Sequence, residues 1–357
     1  MRTAIVAAGV VVVSIVAVTM TSPDRSQLAD DGTTTTTRDS PVVSSQPPSP
    51  VPAGPRRGKL AYRDGDGRLA VVDLGQDGPA LVDGPVDAYP SRVISVAGSF
   101  VVADGGTAWS VTLQDGGLIR QPLGAADAVV ASADRALLWV VAGSPAGAEV
   151  QLFALDGLAR SSRIALPKGA RLVANVGALL VLQRPDDRVL ELYDLERLTT
   201  ARFLGVAGEV ADGRGSLLAW YSTPGGECAG DCVLHLTDVA SGLDRVVEPP
   251  PGTGWIRGGA ISPDGNRLAA FVAPTTPERP PGQQVATLVI VNVATSEGMQ
   301  IPGSGVPYGE PVAAATWSVT SGWLFFAGHG GSMRAYFPGA SSSVELPAPA
   351  SYVLAAS

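Results

Sequence analysis

Apolar residues occur along most of this chain in short runs separated by glycine, proline, aspartate or serine. Examples are LLWVVA (Leu137 to Ala142), ALLVLQ (Ala178 to Gln183), LLAWYS (Leu217 to Ser222) and WLFFAG (Trp323 to Gly328). Runs of this length with such boundaries predict β-strands. Beyond about residue 30 no segment keeps apolar positions on a 3.6-residue period for three turns, so the pattern predicts scarcely any helix.

A longer regularity lies over the short one. LYDLERLTTARFLG (Leu192 to Gly205), LTDVASGLDRVVEP (Leu236 to Pro249) and IVNVATSEGMQIPG (Ile290 to Gly303) share the order apolar strand, turn, short second strand. Aligning the strand that ends near Asp-Leu or its equivalent places anchors at Asp73, Thr112, Ala154, Asp194, Asp238, Asn292 and about Tyr336, about 39 to 54 residues apart. Four short strands fit each interval. The expectation is an all-β, seven-bladed propeller over residues 59–357, with PTTPERPPGQQ (Pro274 to Gln284) as a loop insertion. The first unit begins at KLAYRD (Lys59 to Asp64) without an innermost strand, and SYVLAA (Ser351 to Ala356) is left over after the last. Pairing the two would close the seam and hide an open sheet edge.

The amino-terminal part differs in kind. Ala4 to Met20 is an apolar run behind Met1 and Arg2, so residues 1–20 are expected to form a hydrophobic helix that meets a membrane. Its length suits either an uncleaved anchor or a cleaved signal segment. Arg2 and the α-amine before it favour an exported body. Residues 21–58 hold Thr33 to Thr37 and SSQPPSPVPAGP (Ser44 to Pro55), too polar and proline-rich to fold alone, and read as a disordered linker.

With 33 acidic against 25 basic residues the net charge is −8, and the basic residues do not cluster. A nucleic-acid partner, which needs a positive stripe, is not expected. The blade built on AISPDGNRLAAFV (Ala260 to Val272) has a strand, a Pro-Asp-Gly turn and a second strand. It resembles the Ser-Pro-Asp-Gly hairpin of bacterial TolB-like and WD-repeat-like propellers, and the endings at Asp194 and Asp238 are similar to a later strand of those repeats. Pro263 presets the first turn angle and Gly265 accepts the positive φ after it. The resemblance implies binding or scaffolding in the cell envelope more readily than catalysis.

Candidate chemistry is sparse. Histidine is limited to His235 and His329, and no HExxH, GxSxG or GxxxxGK motif occurs. Cys228 and Cys232, in a compartment expected to be oxidising, read as a local disulfide, with a zinc site including His235 as the alternative. Asp64 and Asp66 lack the further oxygen ligands of a calcium loop, and GHGGS (Gly328 to Ser332) suits a hairpin turn better than an oxyanion hole. No cofactor and no metal are therefore expected. Links between second and third strands leave a propeller on the same rim as links between blades. That rim should hold Asp186, Asp187, Trp255, Tyr308 and Glu310, with the Cys228 to Cys232 loop. The leading expectation is an envelope-anchored, extracytoplasmic, non-catalytic module binding a protein, peptide or cell-wall component. The alternative is a propeller hydrolase or lyase acting on a glycan or small lactone.

Overall fold

The computed structural model describes residues 58–63, 69–74, 79–81, 93–114, 117–144, 147–205, 207–223, 228–275, 285–307, 315–320, 322–328, 331–349 and 352–356, all within the unit Ser49–Ser357. The expected amino-terminal helix and linker lie outside them. Among the described residues there is no helix, and so none long and apolar enough to cross a membrane.

The strands form antiparallel sheets in chain order. The first holds β1 (Lys59–Arg63), β2 (Leu69–Asp73) and β3 (Pro79–Leu81). The second holds β4 (Val93–Val96), β5 (Ser99–Asp104), β6 (Thr107–Gln114) and β7 (Gly117–Ala125). The third runs through β8 (Ala128–Ala131), β9 (Leu138–Ser144), β10 (Gly147–Phe153) and β11 (Ile164–Ala165). The fourth comprises β12 (Arg171–Val176), β13 (Leu179–Gln183), β14 (Leu190–Asp194) and β15 (Thr199–Gly205).

Two further arrays follow. The fifth is β16 (Gly208–Arg214), β17 (Leu217–Ser222), β18 (Ala229–Asp238) and β19 (Leu243–Val247). The sixth is β20 (Thr253–Ile261), β21 (Arg267–Pro274), β22 (Val285–Asn292) and β23 (Gly298–Gln300), with β24 (Val306–Pro307) also on β22. Pairing of β18 with β20 joins them into one extended sheet. The last array is β25 (Ala315–Trp317), β26 (Leu324–Ala327), β27 (Ser332–Tyr336) and β28 (Val344–Pro349). The final strand, β29 (Tyr352–Ala356), leaves that array and pairs with β1, setting Leu60 opposite Ala356 and Arg63 opposite Tyr352. The repeat anchors fall at, within or just after β2, β6, β10, β14, β18, β22 and β27, the third strands of their arrays.

Burial is greatest on inner strands such as β17, β21 and β26 and falls off at outer strands, and the sequence shows why. LLAWYS of β17 and LFFA of β26 are buried nearly throughout because neighbouring sheets cover both their faces, so their apolar runs need not alternate. Outer strands such as TTARFLG of β15 and GMQ of β23 are mostly exposed and polar or small. Each core cluster is shared by consecutive sheets: Val176, Val181 and Leu192 of the fourth meet Leu218 and Trp220 of the fifth. One cluster joins the last array to the first, with Phe325, Met333 and Ala335 against Leu60, Tyr62 and Ala356. This layout of stacked antiparallel sheets is propeller-like.

Candidate functional site

One end of the fourth and fifth arrays is a set of stitched loops. The link from β13 to β14 carries Asp186 and Asp187, both exposed. Asp187 is held by Arg184 at 3.0 Å and accepts the Val189 amide at 3.1 Å. Arg188, at a φ of 53°, pairs with Glu209 at 3.1 Å. The Ala207 amide donates to the Asp187 carbonyl at 3.2 Å, and the Thr223 amide donates to the Ala207 carbonyl at 2.9 Å. The β13–β14 link and the start of the β17–β18 loop are thus fastened to the same short connection.

The cysteines close that second loop: Cys228 and Cys232 form a disulfide with Cα atoms 5.3 Å apart. This rules out the zinc alternative, since disulfide sulfurs carry no free thiolate. Cys232 pairs with Trp255 across the β18–β20 junction, so the bridge sits where two arrays meet. Trp255 is fully buried, and its Nε1 donates to the Val247 carbonyl at 2.8 Å. Its indole belongs to the core under the rim, because β18 lies across the end of the strand that a count of spacings leaves open. Tyr308, Glu310, the residues 276–284, Asp64, Asp66 and His329 lie outside the described residues.

On the face of the fifth array that packs against the fourth, register brings together residues that sequence leaves scattered. Trp220 stands opposite His235, Ser222 opposite Val233, and Thr237 opposite Asp244. Trp220, Ser222, His235, Thr237 and Asp244 therefore share one side of the pleat. His235 Nδ1 is 2.9 Å from Asp244 Oδ2, and Nε2 is 3.2 Å from Ser222 Oγ. The carboxylate assigns the proton to Nδ1 and leaves Nε2 to accept from Ser222. Trp220 stacks on the imidazole with centroids 4.1 Å apart, and its Nε1 donates to Thr237 Oγ1 at 2.9 Å. The order serine, histidine, aspartate is that of an acyl-transfer triad. The amide after the serine, however, is already committed to Ala207, so it offers no oxyanion donor.

At the opposite end of the fifth array lies a second constellation, to which turns of the third and sixth arrays contribute. The turns Ser132 to Leu137 and Ser262 to Arg267 are built alike. In each, the serine hydroxyl donates to the aspartate two residues on (Asp134, Asp264) and accepts an amide at 2.9 Å from Leu137 or Arg267. The residue after each aspartate has positive φ, 60° at Arg135 and 72° at Gly265. The Ser132 hydroxyl, and next the Ala136 amide, hold the Asp134 carboxyl below its ordinary range. Such a depressed carboxyl adds stability above its unfolded pKa that is lost as pH falls through the lower folded value, a small effect at so exposed a group.

Arg135 reaches past the fourth array to Asp212 of β16 at 2.7 Å. A bulge between Val210 and Asp212 aims that carboxylate, which also accepts the Ile261 and Gly213 amides, each at 2.9 Å. Space at Gly213 is tight, since a Cβ would lie 3.0 Å from Val176 Cγ1 and 3.1 Å from Ala174 Cβ and those neighbours would have to give by a few tenths of an ångström. Beside this hub, between the fifth and sixth arrays, a groove of about 400 Å³ opens among Arg214, Asp238, Arg245 and Asp264.

No family model matches the chain, and no curated protein matches it either. Solved structures similar in fold include TolB from Acinetobacter baumannii, 14% identical over 83% of this chain and 81% of that one, with a TM-score of 0.45. A complex of KlAtg21 with the coiled-coil of AgAtg16 is 11% identical over 72% and 84%, with a TM-score of 0.47. A chain of a mitotic checkpoint complex is 16% identical over 74% and 81%, also with a TM-score of 0.47. These similarities concern the arrangement of sheets and carry no residue roles across.

Proposed function

We propose that this chain is an extracytoplasmic, seven-bladed propeller, closed by its C-terminal strand and held at the cell envelope by its amino-terminal segment. It acts as a binding module whose partner docks on the rim of the fourth and fifth blades. The observation that carries this reading is the Cys228–Cys232 bridge. A loop so short loses little chain entropy on closure, so the bridge contributes little to global stability. Its main effect is to fix in place one loop end carrying the exposed Asp231, while the other end of that loop is stitched through Ala207 to the link bearing Asp186 and Asp187, and a pre-ordered loop spares a partner the cost of ordering it. A disulfide also suits an oxidising compartment. The acidic character of this rim favours a partner segment bearing Lys, Arg or amide donors, in a protein, a peptide or a cell-wall component. Tyr308 and Glu310 remain candidate members of the rim.

The test is capture by cross-linking in the native envelope, comparing wild type with Asp186→Lys/Asp231→Lys. Charge reversal at two rim positions should reduce capture about three- to tenfold at low salt while the melting temperature stays put. Undiminished capture would remove this rim from the account.

The Ser222–His235–Asp244 chain favours a second reading, hydrolysis through a serine nucleophile. In it Ser222 Oγ attacks an ester or lactone carbonyl, His235 takes the serine proton and returns it to the leaving alkoxide, and water then releases the acyl group. A fluorophosphonate probe should label Ser222 in wild type and not in His235→Gln. Absence of labelling in wild type would leave the five residues as a structural network locking the sheet face.

A further inference from the structure

The groove between the fifth and sixth arrays lies at the far ends of the strands from the rim, and its polar groups can be accounted for one by one. Asp238 accepts the Ser216 hydroxyl, Ser241 Oγ at 2.7 Å and the Ala240 amide at 3.1 Å. Asp264 accepts the Ser262 hydroxyl and the Asn266 amide. Arg245 donates to the carbonyls of Val293 and Ala294, both at 2.8 Å. Arg214 is different: its backbone pairs with Leu217, but among the described residues its side chain makes no hydrogen bond and no ion pair, although it is half-buried. Burial, and after it the charge of Arg135, pull its guanidinium below the usual range, and the charges of Asp212 and Asp264 offset this in part. A cation kept in this state is a donor set waiting for an acceptor.

The rest of the lining describes what else the acceptor carries. Leu217, Leu236, Leu243 and Val293 form an apolar floor, and Leu243 is 47% exposed. At about 400 Å³ the groove is within the usual size of ligand clefts, roughly 300–1,000 Å³. Asn266 at its edge carries an amide side chain that can hydrogen-bond a peptide backbone but not an alkyl chain, whereas the Ser216 hydroxyl is engaged by Asp238. We infer that the groove binds a short aliphatic peptide segment bearing one carboxylate, with the carboxylate on Arg214 and the flanking aliphatic side chains on Leu217 and Leu243. This site is separate from the rim, so the two can fail independently.

A random heptapeptide library displayed on phage, selected on the full chain, should enrich Asp or Glu next to Leu, Ile or Val. A synthetic peptide of the resulting consensus should bind Arg214→Gln at least tenfold more weakly, with Arg214→Lys intermediate, while rim variants bind it normally. The melting temperature of Arg214→Gln should match wild type, since no partner is lost. If that variant is destabilised instead, Leu243→Asp at the exposed edge must repel the same peptide by a similar factor. Selection without acidic residues, equal affinity for Arg214→Gln, or unchanged affinity for Leu243→Asp would each overturn the inference. So would binding of decanoate, but of no peptide, in an Arg214-dependent way.

Discussion

Deleting Ser351–Ser357 is expected to produce the largest loss of stability of any short truncation in the described unit. The strand Tyr352–Ala356 is the hydrogen-bonded neighbour of β1, and Ala355 and Ala356 are buried in the clusters on either side of it. Without it the β1 edge is open and Leu60 and Tyr62, now buried, meet water. Exposing two such side chains costs roughly 4 kcal/mol, against a total stability of about 5–15 kcal/mol for a typical domain. The truncated chain should melt many degrees lower and aggregate through its bare edge. Light scattering and a thermal melt read both effects, and a melt identical to wild type would show that β29 is dispensable.

Asp212→Ala should come next. The carboxylate, 12% exposed, pairs with Arg135 and accepts two amides, so its removal leaves two N–H groups without an acceptor and the Arg135 guanidinium with only the Gly213 carbonyl at 3.3 Å. Breaking one partner of a buried pair costs about 3–5 kcal/mol. Arg135→Met/Asp212→Ala should recover part of that loss, because the stranded charge is gone. Denaturant unfolding of the two singles and the double measures the coupling. Simple additivity would mean that Arg135 and Asp212 act independently, contrary to the geometry.

The disulfide, the scarcity of helix among the described residues and the repeat anchors that fall on the third strands were all legible from residue types and periodicity. The Ser-Pro-Asp-Gly turn at Ser262 to Gly265 was legible too. Its twin at Ser132 to Arg135 was not, although the two share the same hydrogen bonds, because Ala133 and Arg135 stand where proline and glycine advertise the turn. Arg135 accepts positive φ in a position where its side chain also gains Asp212. Trp255 was placed at a rim by counting loops, yet the crossing of β18 onto β20 buries it. The serine–histidine–aspartate chain left no mark in the linear sequence, since Ser222, His235 and Asp244 lie on three strands.

Local alternation, turn chemistry and cysteine spacing act over a few residues, so the sequence by itself determined that this protein is made of short antiparallel strands in repeated units with one stapled loop. What only the tertiary structure decided is which side chains meet. Cross-strand register put Ser222 on the same face as His235, a bulge aimed Asp212 at a turn from two arrays away, and the packing of neighbouring arrays left the Arg214 side chain half-buried in a groove without a hydrogen-bond partner. Each of these depends on contacts between residues far apart in the chain, where a shift of one position in register would turn the same side chain to the opposite face.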